Sequence, residues 1–390
     1  MRHMKKLGLG LALSALAALA HAQQQPVKIG FIGTLSTPAG YIGEDERDGF
    51  SLAIKEGGGK LGGVPVQLLV EDDGLKPATG KQSAEKMLQD GVRLFTGINF
   101  SNVMVAVAPS VIREGGFYVS LNAGPSNFAG KACNKNLFAV AFQNDSHSDT
   151  AAMAANDLGV KKIVLVAPAY QAGRDAINGF KSAYKGEVLA EIYTKMDQSD
   201  YSVELARIRS LNPDGVFQFL PGGLGINFSK QFASAGLGKS MQMVATLGMD
   251  DRMLAAIGDA AKGYYISTPW TTRQDNAASK AFVESFQKEY KRKPTSYAAT
   301  SYDTARLIGS ALKAVGGDIT GKADAFREAL RKADFESVRG KFKFGPNQYP
   351  VQDWYLAKVE PDADGKLGFV PVKTLVENHG DPYAKLCNME

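Results

Sequence analysis

Val27-Lys28-Ile29-Gly30-Phe31-Ile32 runs directly into the turn-rich stretch from Gly33 to Gly43. An apolar run of this length, closed by glycines, predicts a buried strand. Beyond it, Asp45 to Lys55 has helical spacing, with Phe50, Leu52 and Ile54 as its apolar positions. Val64 to Glu71 reads as a second strand, closed by Asp72-Asp73-Gly74, and Ala78 to Asp90 as a second helix. Val92 to Thr96, Val103 to Glu114 and Phe117 to Leu121 continue as strand, helix and strand. Strands alternating with helices of about 10–15 residues predict a doubly wound parallel sheet.

The pattern then restarts. Lys162 to Val166, Val188 to Tyr193, Gly215 to Leu220 and Met241 to Ala245 read as strands, separated by helices at Gly173 to Tyr184, Tyr201 to Ser210 and Asn227 to Ala235. After a strand at Tyr264 to Ser267 come helices at Ala277 to Tyr290, Ser296 to Val315 and Lys322 to Ala333, then strands at Lys341 to Phe344 and Trp354 to Val359. A repeated α/β unit predicts two similar lobes joined by crossing segments, not one long sheet. Lobe 1 is expected over 27–143 and 273–349, lobe 2 over 144–272 and 350–378, with a C-terminal tail at 379–390.

Compartment is read from the first residues. Arg2, Lys5 and Lys6 precede the apolar run Leu7 to Ala20, and Ala20-His21-Ala22 supplies the small-x-small pattern of a cleavage site. This order predicts a secretory signal peptide over 1–22 and export to the periplasm. No cysteine sits at the cleavage point, so no lipid anchor is expected. The remaining chain exceeds the roughly 250–300 residues at which one core stops growing. Loss of the leader removes three of 45 basic residues, leaving 42 against 40 acidic ones. That balance lacks the concentrated basic face of a nucleic-acid binder. In an oxidising compartment Cys133 and Cys387 predict a disulfide tying the tail to the first lobe, two free thiols being the alternative.

Nothing in the sequence assembles a catalytic set. Outside the leader only His147 and His379 remain, with no His/Cys cluster at metal spacing and no Gly-x-Ser-x-Gly elbow. His147 lies where a loop enters a helix and reads as a cap or solvated loop residue. Asp72-Asp73 and Asp250-Asp251 follow strands, as turn residues do. Ala233 to Ser240 approaches a phosphate-loop pattern, but its order is helix, glycine turn, strand. A phosphate loop needs the reverse, so a helix C-cap is expected. No enzyme activity, cofactor or metal is expected.

The turns at the C-terminal ends of strands carry the candidate site, since open α/β sheets bind ligands there. Leu35 to Tyr41, Gly97 to Asn102 and Asn122 to Ser126 combine glycine with hydroxyl and amide residues, and Tyr41 and Phe100 add aromatics. Taken singly, each is also an ordinary capping loop; together they suit a carboxylate beside an apolar body.

With Leu35 to Gly43, Leu61-Gly62-Gly63-Val64-Pro65-Val66, Glu71-Asp72-Asp73 and Tyr297-Ala298-Ala299-Thr300-Ser301-Tyr302-Asp303 in this order, the chain resembles the branched-chain amino-acid type of periplasmic solute-binding proteins. These are type I clamps that serve ABC transporters. The resemblance implies a hinged, two-lobed α/β fold that closes on a small molecule and delivers it to a membrane permease with its ATPase. It places the ligand carboxylate at Asn99, Phe100 and Ser101 and at Asn122, Ala123 and Gly124, with Tyr170 across the cleft. It also places the family's ammonium-binding glutamate on or beside Leu247, and its helping tyrosine near Leu220. A buried ammonium without its carboxylate is costly, so an α-amino acid is disfavoured unless Asp250 takes over. Tyr41, Phe100, Tyr170, Phe219 and Trp270 lie near predicted loop ends, although Phe219 in a strand reads first as core. Several of them around a cleft favour an aromatic acid such as a hydroxycinnamate or benzoate derivative, with Arg174 as a second-lobe contact. A branched-chain amino-acid binder and a periplasmic sensor domain are the alternatives.

Overall fold

The computed structural model describes residues 25–361 and 365–389. The expected signal peptide lies outside the described residues. The first sheet is built from β1 (Val27–Gly33), β2 (Lys60–Leu61), β3 (Val64–Asp72), β4 (Leu94–Gly97), β5 (Phe117–Ser120) and β6 (Leu137–Ala139). Its order is β2-β3-β1-β4-β5-β6, parallel except for the short β2. Helices α1 (Gly40–Glu56), α2 (Pro77–Gln89), α3 (Ser101–Arg113) and α4 (Ser126–Ala129) connect these strands.

The second lobe runs through α5 (Ser146–Asp157), β7 (Lys162–Pro168), α6 (Gln171–Ala183), β8 (Glu187–Thr194), α7 (Ser202–Leu211), β9 (Gly215–Gln218), α8 (Gly223–Ser234), β10 (Gln242–Thr246), α9 (Asp251–Ile257) and β11 (Tyr265–Thr268). Strands β8-β7-β9-β10-β11 are parallel neighbours. In each lobe the strand order reverses once, between β1 and β4 and between β7 and β9. Such switch points open a crevice at the strand ends, and the two crevices face each other.

The chain then returns to the first lobe. Helices α10 (Ala277–Tyr290), α11 (Ser296–Val315) and α12 (Ala323–Lys332) bury Phe282, Phe286, Leu307, Ile308, Phe326 and Leu330 against Ile29, Phe31 and Phe117 of the first sheet. Gly49 allows α1 to approach α11 closely, because a Cβ there would lie 2.2 Å from the Ala298 carbonyl oxygen. Strand β12 (Phe342–Phe344) divides its allegiance. Its side chains pack on the first lobe, with Phe344 5.5 Å from Phe138. Its hydrogen bonds join it to β13 (Pro350–Pro361), which continues antiparallel to β11 and to β14 (Leu367–His379).

The crossing segments are held by one buried cation. Arg339 and Asp303, 1 % and 0 % exposed at the side chain, pair at 2.9 Å. The guanidinium also donates to the carbonyls of Val140 and Ala141 and to Gln352 Oε1. It thereby joins the first crossing to the start of β13.

Cys133 and Cys387 form a disulfide across a sequence separation of 254 residues. The tail beyond β14 therefore closes against the first lobe at Cys133, and Tyr383 donates to Asp145 at the start of α5. The near-phosphate-loop segment ends α8, with Gly236 in the left-handed region at φ 73° as a C-cap requires.

Candidate ligand-binding cleft

Where the two crevices meet lies a narrow cavity. From the first lobe it is lined by Asn99, Phe100, Ser101, Asn122 and Ala123, and from the second by Tyr170 and Leu247. The sequence reading named all of these. It did not place Ile42, Phe142, Asn144, His147, Ala172, Phe219, Pro221, Gly248 or Tyr297 on the cavity, and they complete its wall.

Helix starts dominate the lining. Ser101 opens α3, His147 lies in the first turn of α5, Ala172 in that of α6, Tyr297 in that of α11 and Ile42 in that of α1. The dipoles of these starts favour an anion nearby, while the first N–H groups of α5 are already bonded, Ser146 to Gln143 Oε1 and His147 to the Gln143 carbonyl. No Lys, Arg, Asp or Glu is among the lining residues. The rings form a continuous series. Phe100 and Tyr170 have centroids 6.2 Å apart, Tyr170 and Phe219 stack at 6.5 Å, and Phe219 tilts against His147 at 5.2 Å.

The two asparagines are not free amides. Asn99 Nδ2 donates to Glu46 Oε2 and Asn122 Nδ2 to Glu46 Oε1, each at 2.6 Å. The Thr34 N–H donates to Asn99 Oδ1 at 2.6 Å, across the β1/β4 switch point. Glu46 is wholly buried. Burial pushes its carboxyl well above the usual range, against the Asn122 hydrogen bond that pulls it down. The floor of the first-lobe crevice is thus a buried acid that orients two amides.

Four expected contacts do not reach the cavity. Gly124 packs behind it, where a Cβ would meet the Phe142 carbonyl oxygen at 2.1 Å; its role is close approach of the loop to the first crossing. Trp270 anchors the second crossing in the first-lobe core, with Nε1 donating to Ser279 Oγ at 2.8 Å. Arg174 is exposed on the outer side of α6. Tyr41 lies at the rim, where its hydroxyl donates to Asp250 Oδ2 at 2.6 Å. Asp250 also accepts from the N–H groups of Arg252 and Met253 as the N-cap of α9, so it does not replace a carboxylate at Leu247.

Rim contacts hold the lobes together. The Arg252 guanidinium lies 4.7 Å over the Tyr41 ring and donates to Asp45 Oδ1 at 3.0 Å. On another side Ser126 Oγ and Asn144 Nδ2 both donate to Asp175, at 2.8 and 2.9 Å. Burial lifts the Asp250 carboxyl to about 7, against the Tyr41 and helix N–H bonds. For an acid raised in the folded state, the contribution to stability is complete below the ordinary value near 3.8 and is lost as pH rises through about 7. Asp250→Asn keeps a capping oxygen, and the Tyr41 hydroxyl can turn to accept. The variant is expected to melt above the native protein at pH 8 and level with it at pH 4. Thermal unfolding at both pH values checks this; a native protein that is the more stable at pH 8 would contradict it.

Residues 26–366 match the periplasmic binding protein family. A Leu/Ile/Val-binding protein homolog 6 of Brucella melitensis is 31% identical over 398 residues, covering 98% of this chain and 100% of that protein. A solute-binding protein of an ABC transporter from R. palustris, solved with benzoate, is 30% identical with a TM-score of 0.88, covering 94% of this chain and 100% of that one. Another from Rhodopseudomonas palustris BisB5, solved with 3,4-dihydroxybenzoic acid, is 28% identical with a TM-score of 0.83, covering 92% and 99%. The fold, the cleft at paired switch points and these matches agree: the chain belongs to the periplasmic binding protein family, as a solute-binding protein of an ABC transporter.

Proposed function

We propose that the cavity captures an aromatic carboxylate of the benzoate or hydroxycinnamate kind in the periplasm and presents it to a membrane permease with its ATPase. The observation that carries this reading is an uncharged aromatic chamber onto which several helix N-termini converge. A flat apolar body fits the rings, and an anion fits the helix starts. Ser101 Oγ accepts from Asn144 Nδ2, which leaves its O–H to donate to a ligand oxygen. Burial disfavours the charged form of Glu46, so the acid beneath Asn99 and Asn122 does not set a full negative charge against the ligand. An α-amino acid is disfavoured by the same wall: its ammonium would be buried with no acidic side chain among the lining residues. Solved proteins of similar fold that hold benzoate and 3,4-dihydroxybenzoic acid support the aromatic class.

Thermal shift against benzoate, 4-hydroxybenzoate, p-coumarate and leucine tests the reading. An aromatic acid at 100 times its Kd is expected to add about 2.7 kcal/mol of stability. A shift with leucine alone would sink it.

A further inference from the structure

His147 interrupts the aromatic wall with a polar atom. Its side chain is 1 % exposed and lines the cavity, edge-on to Phe142 with centroids 4.8 Å apart and tilted against Phe219 at 5.2 Å. Nδ1 lies 3.2 Å from Ser148 Oγ. Nε2 is buried, and among the described residues no group hydrogen-bonds to it. Burial lowers the ring's pKa to about 3, and the positive end of α5 acts in the same direction. The imidazole is therefore neutral at any pH the periplasm offers, a polar contact without a charge.

Buried polar atoms in native structures nearly always have a partner, and leaving one without is costly. The neighbours of His147 explain why none comes from the protein. Phe142 and Phe219 present only carbon to the ring. Asn144, three residues upstream, spends its amide on Ser101 and Asp175 and its oxygen on the Gly124 N–H. The ring series runs from Phe100, beside the α3 start, through Tyr170 and Phe219 to the imidazole. A flat acid with its carboxylate at the α3 start would share one cavity with Nε2, since Ser101 and His147 both line it.

We propose that His147 is a specificity-determining residue whose Nε2 hydrogen-bonds a hydroxyl carried on the ligand's aromatic ring, so that the protein selects hydroxylated aromatic acids over unsubstituted ones. This rests on the aromatic-acid reading of the cavity. A hydroxyl suits the site because it can donate or accept, and so meets the neutral imidazole in either tautomer. A site built to bond a hydroxyl also discriminates against the analogue lacking it, because the protein atom is then left buried and unpaired.

The test is calorimetric titration of the full-length mature protein with benzoate, the three monohydroxybenzoates and 3,4-dihydroxybenzoate, repeated with His147→Phe and His147→Gln. The native protein is expected to bind at least one hydroxylated acid tenfold or more tighter than benzoate. His147→Phe should erase that preference, weakening the hydroxylated acids at least tenfold more than benzoate, and His147→Gln, which restores a polar atom, should recover part of it. Equal affinities across the native series overturn the inference even if neither variant folds, and leave the aromatic reading standing. A loss that is the same for benzoate as for the hydroxylated acids also overturns it, by assigning His147 to the carboxylate or to packing. Failure of every aromatic acid to bind removes both readings together.

Discussion

Arg339→Met is expected to lower the stability of the folded protein by about 3–5 kcal/mol, the cost of leaving one member of a buried ion pair alone. Asp303 is wholly buried and, among the described residues, would keep the Ser337 hydroxyl and the Val338 N–H as donors. The carbonyls of Val140 and Ala141 and Gln352 Oε1 would lose a shared donor in the same step. Those acceptors lie on crossing segments, so the damage falls where one lobe turns relative to the other. Ligand affinity should fall as well, since the closed state depends on how these segments pack. The double variant Arg339→Met with Asp303→Leu should recover much of the loss, because a buried pair can often be exchanged for apolar groups at little net cost. Urea unfolding of both variants checks the order. A single-variant loss under about 1 kcal/mol, the range of an exposed pair, would show that Arg339 does not pin the hinge.

The alternation that predicts two doubly wound lobes was legible because the central strands β1, β4, β5, β7, β9 and β10 are buried on both faces and so spell short apolar runs. Where that signal fails, the elements were missed. Strand β14 is exposed along much of its length, so it has no apolar face to read. Strand β6 is only three residues long. Helices α1 and α8 begin earlier than their apolar spacing suggests, at Gly40 and Gly223, because each approaches other backbone at its start and uses glycine there. A Cβ at Gly40 would sit 2.4 Å from the Leu35 carbonyl oxygen, and one at Gly225 2.2 Å from that of Leu220.

The cleft was legible on its backbone side and less so on its side-chain side. Loops at strand ends must face the crevice, so Asn99 to Ser101 and Asn122 could be placed from order alone, whereas Tyr170 came from the family resemblance. Phe219 was misplaced by two residues of boundary: β9 stops at Gln218, which puts Phe219 on the cavity instead of in the sheet. Trp270 shows the opposite error. A large aromatic near a loop end is as often an anchor for the loop as a contact for a ligand, and only its hydrogen bond to Ser279 decides. His147 read as a cap because its helix start was visible and its burial was not.

Glu46 was the residue least visible in the sequence and is expected to matter most inside the cleft. In Gly43-Glu44-Asp45-Glu46-Arg47-Asp48 it reads as part of a solvated helix face, yet Asp45 and Glu46 are both wholly buried. Glu46→Ala leaves the Asn99 and Asn122 amides without their acceptor. At about 1–3 kcal/mol for each buried donor left unpaired, the stability loss should be about 2–6 kcal/mol. Affinity for an aromatic carboxylate should drop on the order of a hundredfold, because both loops lose the group that orients them before the ligand arrives. Glu46→Gln is the sharper probe. It matches the neutral state that burial favours, but it exchanges one acceptor for a donor. Asn99 cannot turn to meet that donor, since its Oδ1 already accepts the Thr34 N–H at 2.6 Å. Asn122 has to turn instead, so this variant should lie between the native protein and Glu46→Ala in both stability and affinity. Should Glu46→Ala bind as tightly as the native chain, the two asparagines do not depend on that acid, and the first-lobe floor is organised by its backbone alone.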